Sequence, residues 1–207
     1  MVPVVVFDLG KVLVDFDYAI AARKVAARSS QKIERLDRFL SGSPLLVQYE
    51  SGQLTSGQFF SEVQKITGFN GGADEFAGYF ADIFAPMPEM IDLHAGLRER
   101  NIPTYIFSNT NEIAVGHIRH RFPFFSGFDG YILSYQIGAM KPEAKIYEAM
   151  EAVSRRRGGD IFYIDDRPEN VEAAAERGWQ IVLHETPQKT RAALENFLIK
   201  HNGVNKL

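Results

Sequence analysis

Three carboxylates, a lysine, a hydroxyl and two amides stand at or just past the ends of apolar runs in this 207-residue chain. Asp8 closes the run "VVVF" and precedes Gly10 by two positions, where a missing side chain lets the backbone curl round a bound group. Ser108 and Asn109 close "PTYIFSN", Lys141 opens "KPEAKIY", and Asp165 and Asp166 close "DIFYIDD", with Asn170 four residues past the pair. Adjacent carboxylates after a buried run repel each other unless a cation or a lysine balances them. Carboxylates with open coordination positions suit Mg2+, which keeps waters and takes one or two protein carboxylates plus phosphate oxygens. Lysine and a hydroxyl suit the same oxygens, and N–H groups at a helix start favour an anion. The set describes metal-assisted phosphoryl transfer with a carboxylate as nucleophile. Each piece alone has a plainer use: Asp8 as a turn former, Asn109 as a helix cap, Lys141 as a solvated side chain before a helix opened by Pro142.

Such chemistry needs all these groups at one edge of one scaffold. Five β-prone runs carry them or flank them: "PVVVFD" (3–8), "PTYIFSN" (103–109), "GYILS" (130–134), "DIFYIDD" (160–166) and "WQIVL" (179–183). Their apolarity is continuous rather than alternating, as in strands buried on both faces of a parallel sheet. Helical periodicity separates the third, fourth and fifth runs, while the join between the second and third lacks it. This pattern predicts an α/β fold, a Rossmann-like three-layer parallel sheet whose ligands gather beyond the carboxyl ends of its strands. Between Asp15 and about Pro88 no strand-like run occurs, only helical stretches at "DYAIAARKVAARSS", "QKIERLDRFLSG", "TSGQFFSEVQKITG" and "GADEFAGYFADIF". In the second, Ile33, Leu36, Phe39 and Leu40 make one apolar face, and Thr55 with Gln58 spells a capping box before the third. A gap of about 70 residues far exceeds the usual connection of about 2–6, so it reads as an inserted helical cap with "APMPEM" (85–90) as its return. The division expected is a core of residues 1–15 and 89–207 and a cap of residues 16–88, set over the carboxyl edge.

"VVVFDLGKVL", "IFSNTN", "GAMKPEAKIY" and "FYIDDRPENV", in this order, resemble the four signature motifs of the haloacid dehalogenase superfamily. Within it the chain is similar to the helical-cap phosphatases, a subgroup that includes the α-D-glucose-1-phosphate phosphatases and the phosphatase domain of soluble epoxide hydrolases. The resemblance implies the sheet order 5-4-1-2-3, the five runs being numbered along the chain. It implies that Asp8 becomes an aspartyl-phosphate and that Mg2+ is held by Asp8, Asp166 and the backbone carbonyl of Gly10. Ser108 and Asn109 would hold phosphoryl oxygens, Lys141 would neutralise the nucleophile and the transferring group, Asp165 would support Lys141 and the metal waters, and Asn170 would orient the acidic loop.

Phosphatases of this superfamily commonly carry a second acid two residues after the nucleophile, where this chain has Gly10. A general acid contributes a factor of about 100 to 10,000. Its absence suits a leaving group that needs little protonation, such as an anomeric sugar phosphate, and the sugar-1-phosphate phosphatases of the resemblance share the glycine. Asp15 and Asp17, at the cap entrance, are candidate substitutes, with a hinge turn and a helix N-cap as their plainer uses. The function expected is Mg2+-dependent hydrolysis of a small phosphomonoester, a sugar phosphate or sugar 1-phosphate. The alternatives are a 2-haloacid dehalogenase-type hydrolase using the same Asp and a phosphometabolite-binding protein. Tyr49 and Glu50 are candidate lid-side contacts.

Lys and Arg number 23 against 26 Asp and Glu, a formal charge of −3, so there is no electrostatic footprint for nucleic acid or an anionic membrane. The chain has no cysteine, which removes thiol nucleophiles, thiolate metal sites and disulfides. No leader or membrane-length apolar run is found, so a cytoplasmic protein is expected, a monomer with a dimer as the alternative. His117 and His120 read as helix-surface residues, and Arg155, Arg156 and Arg157 as a basic last helical turn stopped by Gly158.

Overall fold

The computed structural model describes residues 2–202. Three valines and a phenylalanine make β1 (Val4–Phe7), every residue of which is buried. Asp8 leads into a tight turn in which the Leu13 and Val14 amides both donate to the Leu9 carbonyl, at 2.9 and 3.0 Å. Then come β2 (Val14–Phe16) and five helices, α1 (Tyr18–Ala26), α2 (Leu36–Gly42), α3 (Pro44–Glu50), α4 (Ser56–Thr67) and α5 (Ala73–Ala81). The chain returns through β3 (Phe84–Pro86) and α6 (Pro88–Glu99) to β4 (Thr104–Ser108), α7 (Glu112–Arg121) and β5 (Gly130–Leu133). It ends with α8 (Ser134–Ile137), α9 (Ala144–Ser154), β6 (Ile161–Asp165), α10 (Pro168–Glu176), β7 (Gln180–Leu183) and α11 (Pro187–Asn202).

Five strands form one parallel sheet in the order β5-β4-β1-β6-β7. With the five sequence runs numbered along the chain this is the expected 5-4-1-2-3, read from the other edge. Period-two alternation assigns β1 to both faces at once. Val5 and Phe7 pack with Met90, Leu93 and Leu97 of α6 and Leu194, Phe197 and Leu198 of α11. Val4 and Val6 pack with Ile146, Tyr147 and Met150 of α9 and Val171 and Ala174 of α10. Continuous apolarity in these strands is therefore the mark of burial between two helical layers. The inserted helices have a core of their own, in which Tyr49 stacks on Phe59 and Phe59, Phe76 and Phe80 meet one another.

Several expectations need correction. The insertion is not wholly helical: β2 and β3 pair antiparallel, Val14 with Pro86 and Phe16 with Phe84, so the outgoing and returning chains form a ribbon. Strands of three residues carry too little pattern to be seen in sequence. Arg35 takes a left-handed conformation (φ +57°) that starts α2 at Leu36, leaving Ile33 outside the helix though still packed on the same core. A further helix, α3, starts on Pro44 with Ser43 capping it. The join between the second and third runs does hold a helix, α7, capped by Asn111 and buried through Ala114, Val115 and Ile118. Pro142 precedes α9 rather than opening it, and its peptide bond with Lys141 is cis. Arg155 turns left-handed (φ +53°) just past Ser154, so the three arginines follow the helix instead of closing it. The capping box at Thr55 and Gln58 is present, and Asp17 caps α1 through Ala19. No helix among the described residues is long and apolar enough to cross a membrane.

Candidate active site

Strand register brings the polar strand ends together. Phe7 lies opposite Ile106 of β4 and Ile164 of β6, so Asp8 leaves the sheet beside Asp165 and on the same edge as Ser108. One ligand oxygen from each of Asp8, Asp165 and Asp166 falls within 4.8 Å of the others. Lys141 inserts between two of them, its Nζ 3.1 Å from Asp8 and 2.6 Å from Asp165 and also donating to the Phe107 carbonyl at 2.9 Å. The Phe107 and Tyr163 rings lie against the same ammonium, 5.2 and 5.6 Å from it.

The two adjacent aspartates face different surroundings. Asp165 is fully buried and saturated: it accepts from Lys141, the Tyr163 hydroxyl, the Arg167 amide at 2.8 Å and the Asn170 amide at 3.1 Å. Burial works to raise its pKa, but the Lys141 charge and these hydrogen bonds win and hold it below the ordinary value. Asp166 is half-buried and opens on a cavity of about 370 Å3 that Asp8, Gly10, Lys141 and Asn170 also line. Burial and the Asp165 charge push Asp166 up. Burial pushes Asp8 up to about 7, Lys141 opposing and Asp165 and Asp166 reinforcing it. Lys141 itself stays charged, because the pull of Asp8 and Asp165 outweighs the cost of its burial. One lysine against three carboxylates leaves an excess of negative charge, and the donors are hard oxygens. That combination fits a divalent cation such as Mg2+.

Asn109 spends its side chain on the lysine loop, donating to the Lys141 carbonyl at 3.0 Å and accepting from the Lys141 amide at 2.7 Å. Ser108 is buried at the end of β4, and its hydroxyl donates to the Asn109 carbonyl at 3.3 Å. Ser134, which ends the third run, braces the same loop by two hydrogen bonds with Thr110. Asn170 sits on the first turn of α10 and grips both Asp165 oxygens, as a residue orienting the acidic loop would.

Asp15 and Asp17 are not brought to the cavity. Asp15 is exposed and paired with Lys11, and Asp17 is engaged in capping. Tyr49 is buried as a strut, its hydroxyl accepting from the Ile113 amide of α7 at 3.2 Å. Glu50 does line the cavity, together with Phe16, Tyr18 and Leu46 from the same stretch of chain and Arg167 from the acidic loop. Of these, only Glu50 stood out in the sequence. The others carry no signal beyond position: which faces Tyr18 and Leu46 turn toward Asp8 is decided by the packing of the inserted helices, while Phe16 ends β2 and Arg167 precedes α10. His117 and His120 lie on α7 away from the cavity.

A curated relative, the D-ribitol-5-phosphate phosphatase of Bacteroides thetaiotaomicron, is 25% identical over 211 aligned residues, covering 96% of this chain and 99% of its own. Among solved structures, a haloacid dehalogenase family enzyme of the same organism, in complex with magnesium and inorganic phosphate, superposes with a TM-score of 0.77. It is 24% identical and covers 88% of this chain and 93% of its own. The L-2-haloacid dehalogenase of Xanthobacter autotrophicus is more distant, with a TM-score of 0.63 at 16% identity over 97% of this chain and 88% of its own. The family model of the haloacid dehalogenase-like hydrolases matches residues 2–178, most of the chain. The protein belongs to that family, and is a hydrolase.

Proposed function

We propose that the protein is a Mg2+-dependent phosphatase that hydrolyses a small phosphomonoester, a sugar or polyol phosphate, through an aspartyl-phosphate on Asp8. The observation that carries this reading is the cluster itself: Asp8 at the tip of β1, touched by Lys141 and within reach of Asp165 and Asp166 at the mouth of a ligand-sized cavity. Asp8, Asp166 and the Gly10 carbonyl would hold the metal, which when bound supplies positive charge to the phosphoryl oxygens. Lys141 draws charge off Asp8 so that one anion can approach another, and Asp165 with Asn170 fixes the lysine and the loop in place. The Ser108 hydroxyl would donate to phosphoryl oxygens. In this reading residues 1–15 and 89–207 are the catalytic core, of which residues 1 and 203–207 lie outside the described residues, and residues 16–88 are a cap whose cavity-facing side chains select the substrate.

The substrate class rests on two supports that pull in different directions. Gly10 suits an anomeric 1-phosphate, whose leaving group departs without a strong acid. The relative named for D-ribitol 5-phosphate points to a primary alkyl ester. Phosphate release from a panel of sugar 1-phosphates, sugar 6-phosphates and D-ribitol 5-phosphate, with Mg2+ and with chelator, tests the reading. Metal-dependent release is expected, and Asp8→Asn should lower it by at least ~1,000-fold, as loss of a covalent nucleophile does. Chloride release from a 2-haloacid that survives chelation, with no phosphate released, would instead make the protein a dehalogenase. Substrate binding without turnover would make it a binding protein.

A further inference from the structure

The phosphatase reading leaves one proton without a donor. When Asp8 displaces an alkoxide from phosphorus, the departing oxygen needs a proton that Gly10 has no side chain to give. Nor is there room for one: a Cβ on Gly10 would lie 2.8 Å from the Phe16 ring. That ring is held by edge contacts with Tyr18 and Phe84 and by the Lys11 ammonium 4.5 Å from its centre. Asp15 and Asp17, the next acids along the chain, are bound to Lys11 and to the Ala19 amide respectively.

Glu50 is placed differently. It is the last residue of α3, and it lines the cavity that holds Asp8 and Gly10 as well as the adjoining pocket over Ser108 and Asn109. We propose that Glu50, carried in by the inserted helices, is the general acid and base that the position of Gly10 lacks. The reading rests on the phosphatase function above and goes beyond it in naming the proton donor.

The surroundings of Glu50 suit the role. Among the described residues its carboxylate accepts one hydrogen bond, a long one from the Asn111 side-chain amide at 3.4 Å. Arg167, the cation whose charge reaches it, places its guanidinium on Glu169 at 2.7 Å instead. Tyr18 of α1 faces it with a phenol held neutral by burial and by the Glu50 charge. Asp8, Lys11, Lys141 and Asp166 line the rest of the cavity wall, and the lysines are committed to Asp8, Asp165 and Asp15. Burial therefore prevails over Asn111 and Arg167 and pushes the Glu50 carboxyl up to about 7, the range in which one group can both give and take a proton.

The two half-reactions balance. An Asp8 oxygen bonds to phosphorus as the bond to the leaving oxygen breaks, and the Glu50 proton passes to that oxygen, giving an alcohol and a Glu50 carboxylate. Water then bonds to phosphorus, returns a proton to Glu50, and the Asp8–phosphorus bond breaks to release phosphate.

The test compares wild type with Glu50→Gln on two probes with Mg2+ present: D-ribitol 5-phosphate, or the best alkyl ester of the panel, and p-nitrophenyl phosphate, whose leaving group needs no proton. The variant should lose about 100-fold on the alkyl ester and at least tenfold less on the aryl ester. Equal losses on both would overturn the proposal, because they would mark a structural or binding role. A wild type that hydrolyses p-nitrophenyl phosphate but no alkyl ester would overturn it too, while leaving the phosphatase function standing. Release from neither ester would remove both. Wild type alone gives a reading that needs no variant: the ratio of alkyl to aryl rates should fall as pH rises from 6 to 8, and a flat ratio refutes the assignment.

Discussion

At the scale of single residues, the proposed roles of Phe16 and Glu50 together account for a glycine two places after Asp8. The ring fills the volume that a side chain at residue 10 would need. Gly10→Asp alone should therefore destabilise the fold by about 1–3 kcal/mol, the usual cost of overpacking. Combined with Phe16→Ala it should cost less than the sum of the two single changes, measured by denaturant unfolding. Strict additivity would mean that the ring yields freely. Glu50 also leaves a mark on stability. Its carboxyl titrates near 4.5 when unfolded and at about 7 when folded, so the folded chain holds a proton that the unfolded chain gives up. The stability this supplies is complete below pH 4.5 and is lost as pH rises through 7. Glu50→Gln should match wild type near pH 4.5 and exceed it at pH 8, by a margin on the order of 2 kcal/mol. A constant difference across that range would place the carboxyl at its ordinary value.

At the scale of elements, the site depends on where α3 ends. Gly52 follows it with φ +73°, and a Cβ there would meet the Tyr135 carbonyl of α8 at 2.2 Å. Gly52→Ala should push the end of α3 off α8, lowering the melting temperature and reducing alkyl-ester turnover more than aryl-ester turnover, since Glu50 moves with the helix. Equal effects on both esters would show that the shift stops short of Glu50. These contacts mark the limit of what the sequence discloses. The Asp8, Ser108 and Asp165–Asp166 positions were legible because buried strands must be apolar throughout and must end somewhere, and polar residues at those ends stand out; Lys141, in the loop between α8 and α9, was legible only through the motif around it. The ribbon of β2 and β3 was not, since three-residue strands show no period and Pro86 reads as a turn. Nor were Phe16 and Tyr18 as cavity walls: Phe16 ends that ribbon, and an amphipathic helix such as α1 announces that it has a buried face but not which neighbour its other face overlooks.

For the molecule as a whole, the charge excess at the sheet edge should tie folding to metal. A ligand that binds only the folded chain stabilises it by about 2.7 kcal/mol at a hundred times its dissociation constant. Saturating Mg2+ should raise the melting temperature over that in chelator, and Asp166→Ala should abolish most of the rise while the metal-free variant still melts cooperatively. An unchanged rise in that variant would take Asp166 out of the metal site. The paired hinge strands have a wider consequence. Because Phe16 and Phe84 are cross-strand partners, the insertion begins and ends at neighbouring points, roughly one strand spacing of about 5 Å apart. A segment anchored in this way can be lengthened, shortened or exchanged by recombination without disturbing the register of the parallel sheet. The ribbon is thus a splice point, at which one inserted module can be traded for another while the parallel sheet and Asp8 at its edge stay as they are.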